Sequence, residues 1–292
     1  MKQLVEIAHC PICNATDFKK VMISKDHMIT GEEFSIVECS SCGFWFTSPI
    51  PSENKIGEYY KSDVYVSHSS SKKGLINSVY NWVRNYTLKK KLKLVQGLCE
   101  KGVVVDYGCG TGHFLNILKK AGYDAKGFEP DDDARRFTGK EFGIQTSPLD
   151  KFSELPKESV DVITMWHVLE HVYHLKRDFE NIVDRIKPGG YLIIAVPNRM
   201  SFDAESYKEL WAAYDLPRHL YHFSPSDIKN LSTSFGLELV EIAPMKFDAY
   251  YVSMLSEKYK GGSLMRAFMN GVKSNRKADE NGFSSQIYVF KK

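Results

Sequence analysis

Residues 103–115 read VVVDYGCGTGHFL. Three β-branched residues predict a buried strand, and Asp106 stands near its carboxyl end. Glycines follow at 108, 110 and 112, and Phe114 and Leu115 open an apolar helix. Each missing Cβ removes a steric barrier and permits a positive φ, so the turn lets a ligand approach bare backbone. Strand, glycine turn and helix together predict an α/β protein that binds a nucleotide-type cofactor beyond the carboxyl ends of its strands.

Two cofactors compete for such a turn. A dinucleotide fingerprint needs its third glycine three places after the second, where this chain has His113. A pyrophosphate also gains nothing from Asp106, whereas the ammonium of S-adenosylmethionine does. Glu129, 23 residues after Asp106, ends a second apolar stretch, where a carboxylate can accept both ribose hydroxyls. Asp106, Gly108, Gly110, Gly112 and Glu129 resemble motif I and the acidic second-strand motif of class I S-adenosylmethionine-dependent methyltransferases. The resemblance implies a doubly wound, seven-stranded Rossmann-like sheet with S-adenosylmethionine as cofactor. It also implies an adenine contact after the third strand, for which Leu149 and Asp150 in TSPLD are the candidates.

From residue 103 onward apolar runs and helical patterns alternate, as in a parallel sheet with crossover helices. The runs predict strands over 103–106, 124–128, 144–146, 160–165, 191–196, 237–243 and 286–290. Residues 75–98 have apolar positions at helical spacing, and the KKKLK run at 89–93 reads as the solvated face of that helix. IKPGG, at 186–190, reads as a helix end. The expected organisation is a module over 1–48, a linker or wrap over 49–74, and a methyltransferase domain over 75–292 with an insertion at 244–285.

Of six cysteines, Cys10, Cys13, Cys39 and Cys42 form CPIC and CSSC. Two C-x-x-C knuckles can set four thiolates tetrahedrally around Zn²⁺, with no position open for chemistry. A structural zinc is therefore expected to hold the first 48 residues, too few for an adequate core; a redox pair is the alternative. Such a module joined to a methyltransferase domain is similar to the deoxysugar C-methyltransferases.

The fourth predicted strand runs directly into WHVLEHVYH, so Trp166, His167, Glu170 and His171 emerge where donor and acceptor should meet. The LEHV tetrad resembles the post-strand motif of ubiquinone-biosynthesis O-methyltransferases. That resemblance implies His167 and Trp166 beside the cofactor and Glu170 or His171 facing the acceptor as the base. Two other readings remain: helix capping by these histidines, and the H-x-x-E-H pattern of zinc peptidases. A second cluster, WAAYDLPRHLYHFSP, offers Tyr214, Asp215, Arg218, His219 and His222 on a loop before a helix capped at Ser224. It suits an acceptor pocket or, failing that, a structural clasp.

A formal charge of +3, with 43% hydrophobic and 26% charged residues, describes a globular chain and by itself gives no case for a nucleic-acid-binding surface. The longest apolar run is too short to span a bilayer, and the first residues lack a signal-peptide core. A cytoplasmic enzyme acting on a small-molecule acceptor such as a sugar or lipid precursor is expected. The alternative is an RNA methyltransferase or RNA-binding protein gripping its target through the knuckles.

Overall fold

The structure, a computed structural model, describes residues 4–60, 75–278 and 282–292, with the side chains of 75–80 outside the description. The predicted linker therefore lies partly outside the described residues. Five strands open the chain: β1 (Leu4–Val5), β2 (Phe18–Lys25), β3 (Glu33–Cys39), β4 (Trp45–Thr47) and β5 (Ile50–Pro51). Helix α1 (Leu75–Leu98) leads to β6 (Val103–Tyr107), α2 (His113–Lys120), β7 (Asp124–Phe128) and α3 (Asp132–Phe142). Then come β8 (Val160–Trp166), α4 (Leu175–Arg185), β9 (Ile186–Pro197), α5 (Phe202–Tyr207), β10 (Tyr221–His222) and α6 (Pro225–Ser234). The chain closes with β11 (Glu238–Pro244), α7 (Asp248–Lys260), α8 (Leu264–Arg276) and β12 (Ser285–Lys291).

The main sheet has six strands in the order β11-β12-β9-β8-β6-β7. β7, β6, β8 and β9 are parallel, while β12 inserts antiparallel between β9 and β11. Its central strands β6, β8, β9 and β12 are buried on both faces, whereas the edge strand β11 is largely exposed; in the central strands side chains alternate between two cores with the period of two that a pleated strand imposes. Val105, Ile163, Leu192, Ile194 and Tyr288 fill one core; Val104, Val162, Ile193 and Val289 fill the other.

The sequence predicts seven strands, and the third is the one not formed. Pro148 lacks an N–H donor and follows two residues after the β-branched pair Ile144 and Thr146. Only a single parallel bridge survives, Ser147 to Phe128. IKPGG also differs from expectation: α4 stops at Arg185, and Ile186 already pairs with Val160, so the motif begins β9. The expected cap at Ser224 forms, as a reciprocal capping box with Asp227.

The amino-terminal segment does not pack by itself. Its sheet, β10-β4-β3-β2, takes its edge strand from residues 221–222, with Tyr221 opposite Phe46 and His222 opposite Trp45. Phe44 and Phe46 share one core with Met165, Phe179 and Phe223. The insertion after β11 forms a helical hairpin, α7 against α8.

Candidate active site

The glycine turn between β6 and α2 has φ of 75°, 53° and 71° at Gly108, Gly110 and Gly112, a region where only glycine is unstrained. The three glycines serve different ends, which corrects the expectation that all of them clear space for a ligand. A Cβ on Gly108 would stand 2.5 Å from Val168, and one on Gly112 would stand 2.4 Å from Thr138. At Gly110 it would meet nothing within 4 Å among the described residues. Gly110 alone leaves backbone open to a ligand.

Glu129, at the end of β7, braces that turn. Its carboxylate accepts the Gly110 N–H at 2.8 Å and the Asp131 N–H at 3.0 Å. Burial raises its pKa, and these two donors oppose the rise. Leu149 and Asp150 begin a short 3₁₀ turn just after the Ser147 bridge, close in sequence to the residue that pairs beside Glu129.

Asp106 is buried and accepts the Thr164 hydroxyl at 2.7 Å; burial pushes its carboxyl up to about 6. Above Trp166, 4.2 Å from the ring, lies the Lys91 ammonium, which burial pulls down to about 8 against the attraction of Asp106 and Asp248. Sequence reasoning missed Lys91 by assigning the whole KKKLK run to solvent. The signal was present: Lys91 stands three residues after Leu88 and four before Val95, both buried, on the inward stripe of α1. The Trp166 indole N–H is buried with no partner among the described residues. A buried carboxylate, an orphaned indole donor, open backbone at Gly110 and the Glu129 carboxylate fit the amino-acid end and ribose of S-adenosylmethionine.

After β8 the chain turns sharply, with His167 at φ 56°. Its ring lies 3.3 Å from Glu170 Oε1 and 3.0 Å from Asp248 Oδ2. Burial alone would lower its pKa, but Asp248 and Glu170 together raise it to about 10, so His167 is an imidazolium. Held in that form between two carboxylates, it is not poised to take up a proton at neutral pH. Asp248, from the insertion, is a second residue that the sequence did not reveal. Residues 169–171 form a 3₁₀ turn, so the helix that an H-x-x-E-H metallopeptidase site requires is absent there.

Glu170 is fully buried; burial raises its carboxyl pKa, but His167 more than offsets this and the net shift is downward. Its Oε2 has no partner among the described residues. Glu170, His171 and His219 bring their ligating atoms within 4.8 Å of one another. His171 Nδ1 lies 2.9 Å from the Arg218 carbonyl and 3.0 Å from the Tyr60 hydroxyl. A carbonyl can only accept, which assigns the hydrogen to Nδ1 and the lone pair to Nε2. Burial and the neighbouring His219 lower the His171 pKa to about 4, so the ring is neutral. His171 caps no helix: the residue before α4 is His174, whose side chain makes no cap bond.

The second cluster divides. His219 joins the His171 group, ring to ring at 4.5 Å, and Asp215 lies 3.9 Å from it. Arg218, expected to contact the acceptor, is 1% exposed and spends its guanidinium on Asp215, Asp26 and the Tyr59 carbonyl. Tyr214 packs on Trp211, and His222 bonds Thr47 at 3.0 Å. Arg218, Tyr214 and His222 are thus parts of a clasp that binds the amino-terminal segment to the loop. Cys10, Cys13, Cys39 and Cys42 converge within 4.8 Å, with Cys10 to Cys42 at 3.6 Å and Cys13 to Cys39 at 3.5 Å. Tetrahedral Zn–S bonds of about 2.3 Å place sulfurs roughly 3.8 Å apart, so the four thiols are compatible with a zinc knuckle.

Comparison with known proteins identifies the family. Residues 81–242 match the family described as "Methyltransferase domain". A ubiquinone biosynthesis O-methyltransferase of Rickettsia canadensis is 28% identical over 157 residues, covering 50% of this chain and 66% of that protein. One from Cupriavidus pinatubonensis is 26% identical over 169 residues, covering 53% and 67%. The chain thus matches only about two thirds of these relatives' length. Among solved structures, phosphoethanolamine N-methyltransferase 2 of Haemonchus contortus, in complex with S-adenosyl-L-methionine, superposes with a TM-score of 0.56 at 13% identity, covering 94% of this chain and 68% of that one. The [4+2]-cyclase SpnF gives 0.50 at 16% identity, covering 70% and 80%. The chain belongs to the methyltransferase-domain family. It is an S-adenosylmethionine-dependent methyltransferase.

Proposed function

We propose that the enzyme transfers the methyl group to a hydroxyl oxygen of a small-molecule acceptor, with His171 as the base. The observation that carries this reading is a neutral imidazole whose Nδ1 faces the Arg218 carbonyl, which leaves Nε2 as the acceptor, in a group with Glu170 and His219 whose ligating atoms lie within 4.8 Å of one another. The O-methyltransferase names of the relatives support oxygen as the nucleophile. When bound, S-adenosylmethionine supplies a methyl group made electrophilic by its sulfonium. Asp106 and Trp166 hold the amino-acid end, Glu129 holds the ribose, and Leu149 and Asp150 border the adenine. Alignment is the protein's main contribution, since in-line displacement needs the reacting atoms close and collinear.

A base whose pKa is near 4 takes a proton poorly from a free alcohol. As the new oxygen–carbon bond forms, however, the oxygen gains positive character and its proton becomes strongly acidic. His171 then receives that proton at Nε2, and the Glu170 carboxylate stabilises the imidazolium. Cys10, Cys13, Cys39 and Cys42 would hold a structural Zn²⁺, which would fix the amino-terminal sheet against the clasp.

Incubation with methyl-labelled cofactor and a fractionated small-molecule extract tests the reading. Label should enter a small-molecule methyl ether and should not do so with His171→Ala. Label on carbon, on nitrogen or in RNA would overturn it.

A further inference from the structure

We propose that the outer face of α8 docks on the surface of an anionic lipid bilayer. This goes beyond the methyl-transfer reading and does not depend on it.

Helix α8 is amphipathic with the usual order inverted. Its small residues point inward. Gly271 packs so closely on α7 that an added Cβ would lie 2.5 Å from the Tyr250 ring, and Ser274 donates to the buried Asp203 at 2.7 Å. Its large apolar residues point outward: Leu264 is 72% exposed, Met265 74%, Phe268 62% and Met269 52%. Spaced i, i+1, i+4 and i+5, they form a single stripe. A contiguous apolar surface of this kind marks a contact site.

Charge decides what the contact is with. From 257 to 280 the chain carries six cations, Lys258, Lys260, Arg266, Lys273, Arg276 and Lys277, against three acids, Glu257, Asp279 and Glu280, and none of the acids falls between the first cation and the last. All six are exposed, and among the described residues none is ion-paired. That stretch therefore nets +3, as much as the whole chain of 292 residues, so the positive charge is concentrated here. A second copy seated two-fold on this face would bring like charges together, which disfavours it. Nucleic acid would satisfy the cations and leave the apolar stripe in water. A bilayer interface satisfies both, taking the stripe into the acyl boundary while anionic headgroups pair with the flanking lysines and arginines. No described helix is long and apolar enough to cross a membrane, so the contact is with the surface. The same hairpin supplies Asp248 to His167, which places the docked face on the element that borders the candidate site.

Cosedimentation of the full chain with phosphatidylcholine vesicles, with and without phosphatidylglycerol, tests the proposal. Binding should require phosphatidylglycerol and weaken as salt is added. The Met265→Asp/Phe268→Asp variant should lose about tenfold or more in partitioning while retaining cofactor binding. Arg266→Glu/Lys273→Glu, which leaves the apolar stripe intact, should also bind less, so the test stands even if the first variant misfolds. Absence of binding to the anionic vesicles, or equal binding by the variants, would overturn the proposal. So would sedimentation velocity showing a dimer that the Met265→Asp/Phe268→Asp change dissociates, since a second copy would then own the face.

Discussion

Replacing His167 with glutamine removes the one cation shared by Glu170 and Asp248 and retains a hydrogen-bond donor. Breaking a fully buried pair from one side costs roughly 3–5 kcal/mol, because a charge is left without compensation. The His167 side chain is 34% exposed and that of Asp248 24%, so solvent screens part of the loss. A destabilisation of about 2 kcal/mol at pH 6 is therefore expected. The folded pKa of about 10 lies above the ordinary 6.5. The imidazolium therefore contributes fully below about pH 6.5, and its contribution is lost as pH rises toward 10. Urea unfolding of wild type and His167→Gln at pH 6, 8 and 10 measures this. The midpoints should differ by somewhat under about 1 M at pH 6 and converge by pH 10. A gap that is absent at pH 6, or the same size at every pH, would mean that the ring is neutral and the charge argument is wrong.

His171→Ala should lower turnover by roughly 10²–10⁴-fold with little change in cofactor affinity, as single-turnover kinetics and calorimetry would show. Arg218→Met, which breaks the clasp among Asp26, Asp215 and the Tyr59 carbonyl, should destabilise by about 3–5 kcal/mol, read from the unfolding midpoint. Elemental analysis should find about one zinc per chain; Cys39→Ser should lose it and expose the first ~50 residues to protease.

Much of this architecture was legible in the sequence because each central strand is apolar on both faces. Val103 to Val105, Val160 to Met165 and Tyr191 to Val196 stand out without knowledge of their neighbours. The glycine turn, Asp106, Glu129 and the four cysteines were legible for a related reason, since spacing along the chain sets their geometry. What escaped detection depends on residues far apart. The 144–146 segment has the composition of a strand, but Pro148 and an edge position reduce it to one bridge. Nothing local marks residues 221–222 as the edge of a sheet built from residues 18–47, or Asp248 as the partner of a histidine 81 positions earlier. Lys91 was obscured by its neighbours, because a run of lysines reads as solvated unless the buried stripe of the helix is traced through it. The place of Arg218 in the clasp is hidden because a cationic loop looks the same in sequence whether its charges face a pocket or Asp26.

Calorimetric titration of S-adenosylmethionine into wild type, Glu129→Gln and Gly110→Val tests the cofactor cradle most directly. The wild-type chain should bind one equivalent. Glu129→Gln should weaken binding by about 1–3 kcal/mol, the scale for leaving buried polar groups unpaired. Gly110→Val should abolish binding, since its side chain would enter space that is open within 4 Å of the turn; valine is also strained at φ 53°, so a lower unfolding midpoint is expected alongside, and circular dichroism checks that the fold is retained. Undiminished binding by Gly110→Val, or binding of NAD in place of S-adenosylmethionine, would contradict the account.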